Sequence, residues 1–334
     1  MKSANNNPLG NMLNPGISDS DIEKAISRSG YPLQTIIANK LRGNFFCQEE
    51  WSYLDRNTKE IRSLDIMATC RLFDITERQP RVRPTLNLLI ECKQSELPYV
   101  FFLSPESIIT NSYPNISGLF HKSIKIFTDD SPSTWTMPIL HALELSEDNF
   151  LINSAPSSMT FSKCVRAGKE IVLSGNESYQ SLVQPLISSL LHFDQTERPP
   201  ESAVYFDAHL PFAIGVLDAP MIGVTVHDNS QETIFLPWIR VFRHESYEHK
   251  NSFERSKTYA MDLVHKDFFE TFIEKHLLPF ASKYADLIIK HDNELAEGRG
   301  FAKGLEENSW DNIEKRLEIY SKKKRYSGKF KKCT

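Results

Sequence analysis

The stretch LNLLIECKQSELPYVFF, residues 86–102, has the composition of a buried strand but carries Glu91 and Lys93 in its middle. Burying a charge is costly unless it is paired or binds a metal. Either this run is not buried, or those two charges have a task. Side chains alternate along a strand. One face of the run therefore carries Leu86, Leu88, Ile90 and Cys92, and the other carries Asn87, Leu89, Glu91 and Lys93.

Upstream, the sequence predicts two further strands. One covers about Phe45–Tyr53. After the turn LDRNTKE, a second covers about Ile61–Leu72. In that second strand Leu64, Ile66, Ala68, Cys70 and Leu72 form an apolar face, and Ser63, Asp65, Met67 and Thr69 a mixed one. Two short helices come first. Ser20 and Glu23 have capping-box spacing, Gly30 suits a C-terminal cap and Pro32 the start of the next helix. Leu33, Ile36, Ile37 and Leu41 make that second helix's apolar stripe, and residues 1–17 read as disordered.

The remaining chain, 18–334, reads as one domain. Residues 104–163, rich in Ser, Thr, Asn and Pro, are an insertion without a clear pattern. A helix follows over Tyr179–Phe193. FAIGVLD and MIGVTVH read as strands joined at Ala219-Pro220, and TIFLPWIRVF as another. A C-terminal helical extension, about 265–325, closes the chain, with helices over Asp267–Lys290 and about Ser309–Lys323. This order predicts a mixed α/β architecture.

Composition sets outer limits. Over 334 residues, 40% hydrophobic and 25% charged content fits a globular chain, and a net charge of −4 neither demands nor excludes a nucleic-acid partner. Five scattered cysteines without a C-x-x-C pair argue against a disulfide framework or structural zinc, and favour the cytoplasm. The apolar segment 210–226 is too short to span a bilayer. His244 and His249 are spaced i, i+5, which does not suit the H-E-x-x-H metal motif, and the glycines of GRGFAKG read as a break between helices.

If the second and third strands pair, Asp65 sits beside Glu91 at cross-strand distance. Two carboxylates that close repel unless a cation lies between them. Magnesium suits such a pair, because it prefers carboxylate oxygen and keeps several waters. The backbone carbonyl of Cys92 is a candidate third ligand. Lys93, on the Glu91 face, is placed to orient an attacking water or help remove its proton.

The pattern RSLDIMA followed by LLIECK, behind an N-terminal helix, resembles the PD-(D/E)XK, or restriction-endonuclease-like, nuclease superfamily. Asp65 matches its strand aspartate, though Leu64 stands where a proline is usual, and Glu91-Cys92-Lys93 matches the (D/E)-X-K triplet. The resemblance covers about 18–102, and 175–228 by element order alone. It implies an αβββαβ core with a mixed sheet and a Mg²⁺-dependent endonuclease, with Mn²⁺ able to substitute, acting on DNA in restriction or phage defence. It further implies an assisting residue on the first helix. Gln34 is the candidate, with Glu23, Glu49 and Glu50 as alternatives. A homodimer or partner subunits of a defence system follow by the same analogy. Nucleic-acid contacts are expected from Arg78, Arg81 and Arg83, in a loop taken to lie near the site, and from Lys59 and Arg62. An ordinary solvated loop is an equal reading of the arginines, and the basic tail, 322–332, is either a nucleic-acid arm or a solvated end. The rival readings are a binding subunit with a decayed nuclease fold, and a nuclease directed at RNA.

Overall fold

The first helix, α1 (Asp19–Arg28), is set by its cap. The Ser18 hydroxyl accepts from the Asp21 amide, and the Asp21 carboxylate accepts from the Ser18 amide. This capping box lies two residues before the expected Ser20 and Glu23. It puts Ile17 and Ile22 at the two positions of a hydrophobic staple, which the Ser20 frame would not do. Ser29 caps the end of α1, so Gly30 is the N-cap of α2 (Tyr31–Leu41), with Pro32 in its first turn. The buried stripe of α2 is Leu33, Ile37, Ala38 and Leu41, with Gln34 among them. Ile36, expected in the stripe, faces out. Before α1, residues 2–17 form turns without a regular element.

The computed structural model describes residues 2–55, 58–74, 79–106, 108, 113–127, 134–246 and 256–301. The expected helix over 309–323, the basic tail and His249 lie outside them. The three expected strands are β1 (Phe46–Leu54), β2 (Ile61–Arg71) and β3 (Val82–Gln94), followed by β4 (Tyr99–Leu103). The region taken as an insertion contains β5 (Ser123–Phe127), β6 (Thr134–Pro138), α3 (Ile139–Ala142), α4 (Asn149–Ile152) and the start of β7 (Ser157–Ala167). Then come β8 (Glu170–Ser174), α5 (Gly175–Ser178), a π-helical turn at Tyr179–Val183 and α6 (Gln184–Thr196). Strands β9 (Phe206–Asp218), β10 (Met221–His227), β11 (Ser230–Phe235), β12 (Trp238–Ser246) and β13 (Ser256–His265) lead to α7 (Phe269–Phe272). A second π turn at Ile273–Leu277 joins α7 to α8 (Leu278–Lys290), and α9 (Asp292–Glu297) and β14 (Arg299–Phe301) follow. Two readings change. TIFLPWIRVF is two strands separated at Pro237. GRGFAKG begins as β14, which pairs with β5, rather than as a break between helices.

The described strands form one sheet of eleven and a second of three. The large sheet runs β1-β2-β3-β9-β13-β12-β7-β4-β10-β11, with β8 on β7. Strands β1, β2 and β3 are an antiparallel meander, while β3, β9 and β13 are parallel neighbours. β9 and β10, adjacent in sequence, do not pair with each other.

The centre of the sheet is covered on both faces, which explains the near-continuous apolar runs of β3 and β9. On one side Leu88, Ile90, Phe212 and Ile214 pack with Leu33 and Ile37 of α2, Phe280 and Tyr284 of α8, and Phe150 of α4. On the other, Leu89, Ala213 and Leu263 pack under Leu186, Leu190 and Phe193 of α6. Residues of the expected insertion, such as Tyr113, Ile124 and Phe150, are thus part of the first core. A buried ion pair ties this region down. The Arg240 guanidinium meets the Asp262 carboxylate at 2.9 Å and donates to the carbonyls of Phe150 and Leu151, while Tyr113 and Trp238 also donate to Asp262.

Candidate active site

β2 and β3 pair from Arg71↔Thr85 to Ile66↔Ile90, and there the ladder stops. The next rung would be Asp65 with Glu91. Instead, the Asp65 carboxylate takes the place of a backbone acceptor: Oδ2 accepts from the Cys92 amide at 2.6 Å. In an antiparallel ladder a residue's N–H and C=O point to the same neighbouring strand. The Cys92 carbonyl therefore shares the side opened by the departure of β2. Beyond this point β3 continues along β9 as far as Gln94↔Asp218.

The disturbance is visible in packing as well. The sequence puts Leu64, Ile66 and Ala68 on one apolar face. Ile66 and Ala68 do join the α2 core, but Leu64 packs in the α6 core with Trp51 and Tyr53 of β1. The same change occurs on β1, where Cys47 packs with the first core and Trp51 with the second. The β1–β2 ribbon is turned over between these residues. The rung at the turnover is Glu50 with Asp65: Glu49↔Ile66 and Trp51↔Leu64 flank it, and it is missing from the ladder. Glu50 has a φ of 52°, the left-handed side that non-glycine residues rarely adopt.

Glu91 is buried, and Lys93, half-buried, donates to its Oε1. The other oxygen, Oε2, is buried without a hydrogen-bond partner. Leu182 from the π turn lies close by. Gly215 is the β9 residue in register with Glu91, and a Cβ there would come within 2.6 Å of Leu263 and 2.9 Å of Leu182. A glycine is needed for those leucines to reach so near the strand. This apolar cover drives the electrostatics. Desolvation pushes the Glu91 carboxyl up to about 7, with Asp65 adding to the rise and Lys93 opposing it. Desolvation also raises Asp65; the Cys92 amide and Lys93 pull it back, and Glu50 adds to the rise. Burial alone would lower Lys93, but the Glu91 and Asp65 carboxylates outweigh that and hold its ammonium above the ordinary lysine value. Asp65 acts on Glu91 through both its charge and its backbone amide, so the two residues are near neighbours where the strands open.

Gln34 reaches the same place from α2. Its Nε2 donates to Glu50 Oε1 at 3.1 Å and to the Asp65 carbonyl at 3.0 Å. Of the alternatives to Gln34, Glu23 lies on α1, and Glu49 pairs with Arg42.

The arginine loop lies elsewhere. Arg81 and Arg83 are at the start of β3, and Arg83 precedes Glu91 by eight residues, about 26 Å along an extended strand. Arg83 Nε lies 2.8 Å from Asp207, without an aligned hydrogen bond. Arg81 faces Asn293 and Glu297 on α9. Their expected position beside the site is therefore corrected: the loop joins the far ends of β2 and β3. Arg78 lies outside the described residues. Arg62 is on β2 near Asp65 but pairs with buried Asp55, and Lys59 is exposed at the β1–β2 turn. Sequence reasoning missed Gly215, in register with Glu91, Leu182 packed against it, and Tyr53, whose hydroxyl is raised by burial and by the Glu91 charge; only the glycine within an apolar strand was a readable sign.

Among the described residues, no group of three or more His, Cys, Asp or Glu side chains is gathered closely enough to hold a metal ion. What converges here is two carboxylates and one carbonyl. That donor set fits magnesium, which binds through one or two carboxylates and retains waters, and the unpartnered Glu91 Oε2 is an oxygen ready for such a cation. No family model, curated protein or solved structure matches this chain.

Proposed function

We propose that this protein is a Mg²⁺-dependent endonuclease that hydrolyses DNA phosphodiester bonds, built on a restriction-endonuclease-like αβββαβ core and acting in the cytoplasm in restriction or phage defence. The core would be α2, β1–β3, α6 and β9. One observation carries the reading: Asp65 and the Glu91–Lys93 pair converge where β2 leaves β3, with a buried carboxylate oxygen unpartnered.

Asp65 and Glu91 would hold the cation, with the Cys92 carbonyl beside them. A bound magnesium supplies positive charge that offsets the charge developing on the phosphate and makes water easier to deprotonate. Lys93, kept as an ammonium, donates from Nζ to a water or to a phosphate oxygen and so orients the attack. Burial keeps bulk water from Glu91, which strengthens every charge interaction there. Manganese substitutes as an equally oxygen-seeking ion. No helix among the described residues is long and apolar enough to cross a membrane. Cleavage of both strands would call for a second copy or a partner subunit.

Incubation of plasmid with Mg²⁺ and wild type, Asp65→Ala or Lys93→Ala tests the reading. Nicking by wild type that falls by at least ~100-fold in both variants supports it; equal nicking by all three rejects it. Matched RNA and DNA duplexes in competition decide the nucleic acid. A second reading, a binding subunit with a decayed site, is favoured by one observation: Lys93 already neutralises Glu91. It requires nucleic-acid or protein binding that EDTA leaves intact, with no heat on titration with Mn²⁺.

A further inference from the structure

Gln34 does not reach the site with a free end. Both hydrogens of its amide nitrogen are engaged, one by Glu50 Oε1 at 3.1 Å and one by the Asp65 carbonyl at 3.0 Å. Gln34 is itself buried, so the anchor for its outer hydrogen is Glu50, an exposed residue of β1. Glu50 reaches that position from a backbone φ of 52°, on the rung where the β1–β2 ribbon turns over and directly opposite Asp65. A glutamate gains nothing intrinsic from a left-handed backbone; glycine would hold it without strain. Strain of this kind persists where the surroundings demand it and clusters at functional sites.

We infer that Glu50 is a positioning residue: through Gln34 it clamps the Asp65 backbone at the point where β2 parts from β3, and so sets the Asp65 carboxylate for a divalent cation. Gln34 is then a strut between two strands rather than a ligand. The chain of contacts is Glu50 carboxylate, Gln34 amide, Asp65 carbonyl, and, on the other side of Asp65, its carboxylate on the Cys92 amide. Loss of the anchor frees the Gln34 amide to turn away, and the Asp65 carbonyl then loses its clamp while the carboxylate stays on the Cys92 amide. Partners of this outer kind matter to cation affinity because they fix the direction in which a ligand points.

The inference rests on the endonuclease reading, and the test separates the two. Full-length protein is titrated with Mn²⁺ alone by calorimetry, and plasmid cleavage is measured in parallel, for wild type, Glu50→Gly, Glu50→Ala and Glu50→Gln, with thermal unfolding in EDTA for each. Glycine removes the anchor and relieves the backbone, so Glu50→Gly is expected to keep or raise the unfolding temperature while weakening Mn²⁺ affinity and cleavage by about 10–100-fold. A purely architectural Glu50 would lower or raise both together. Gln retains an oxygen acceptor for Gln34, so Glu50→Gln restores affinity to within about three-fold of wild type, on the same scale. Should Glu50→Ala fail to fold, the glycine variant still decides. Wild-type Mn²⁺ affinity in Glu50→Gly, or a Glu50→Gln variant no better than Glu50→Gly, overturns the inference. Wild type that neither binds Mn²⁺ nor cleaves overturns the endonuclease reading itself, and the inference with it.

Discussion

Replacing Glu91 with glutamine should stabilise the cation-free protein, and do so chiefly at neutral and alkaline pH. The carboxyl rises from an ordinary 4.5 to about 7 because burial takes it out of water. At 1.36 kcal/mol per pH unit, that rise is a cost of about 3 kcal/mol for the ionised form in the folded state. The figure already contains the opposing pull of Lys93. Below 4.5 the carboxyl is protonated whether the chain is folded or not, and no cost is felt. Between 4.5 and 7 the folded protein holds a proton that the unfolded chain has lost, so stability falls as pH rises. Above 7 both states are ionised and the full cost is present. Glutamine mimics the protonated form throughout.

Urea or thermal unfolding in EDTA at pH 5 and pH 8 measures the difference. At pH 8, Glu91→Gln should exceed wild type by about 3 kcal/mol. With an unfolding entropy of roughly 2.1 cal/mol/K per residue, this amounts to about 4 °C over 334 residues. At pH 5 the gain should shrink to roughly 0.8 kcal/mol. At pH 8 added Mn²⁺ should then nearly close the gap at a hundred-fold excess over Kd, because only wild type gains from binding, by about 2.7 kcal/mol, and reverse the order at a thousand-fold excess, where the gain is about 4.1 kcal/mol. A Glu91→Gln protein less stable than wild type at pH 8, or a gain equal at both pH values, would refute the claim that burial dominates the site's electrostatics.

Three further outcomes follow from other parts of the fold. Asp262→Ala leaves Arg240 buried without its carboxylate and should cost about 3–5 kcal/mol, read by denaturant unfolding; an effect under ~1 kcal/mol would mean that the pair does not pin α4 and Tyr113 to the sheet. His291 is buried and its pKa is depressed by desolvation to about 4. The protein should therefore lose up to about 3 kcal/mol as pH falls from 6.5 through 4, and His291→Gln should flatten that slope in a pH series of unfolding curves. Gly215→Ala places a methyl group against Leu263 and Leu182 and should cost about 1–3 kcal/mol by overpacking; thermal unfolding checks it, and a stabilised variant would show that the leucines retreat freely.

The β1–β2–β3 meander was legible because period-two alternation survives in β2 and β3 over most of their length. The apolar face of β3 needs only Leu86, Leu88, Ile90 and Cys92 to be placed correctly. The break in β2 was not legible. Leu64 fits the alternation perfectly well on paper; what moves it to the other core is the left-handed backbone of Glu50 on the neighbouring strand, and glutamate carries no local signal for that conformation. The short elements of 104–163 were equally silent, because residues such as Phe150 and Tyr113 owe their places to Arg240 and Asp262, about 90 or more positions away in the chain. The arginine loop misled for a geometric reason. It lies between Asp65 and Glu91 in sequence, but two antiparallel strands carry their connecting loop to the end opposite the residues near their free termini.

The turnover at Glu50 and Asp65 also explains how a buried strand can hold two charges at all. Had β2 stayed paired with β3 past Ile66, the Cys92 amide and carbonyl would be satisfied by backbone, and the Asp65 carboxylate would have no donor to meet. Because β2 turns away, its place along β3 is filled by one carboxylate on one amide, while Glu91 Oε2 stays buried without a partner. Repairing the ladder should then abolish the site while strengthening the sheet. A glycine or asparagine at position 50 relaxes the backbone but keeps the turnover; only a β-branched residue there, such as Glu50→Val, disfavours the left-handed conformation enough to press β1 and β2 toward regular pairing. That variant should bind Mn²⁺ still more weakly than Glu50→Gly, which lacks the same carboxylate but keeps the turnover. If it binds Mn²⁺ as Glu50→Gly does, the site does not depend on the turnover.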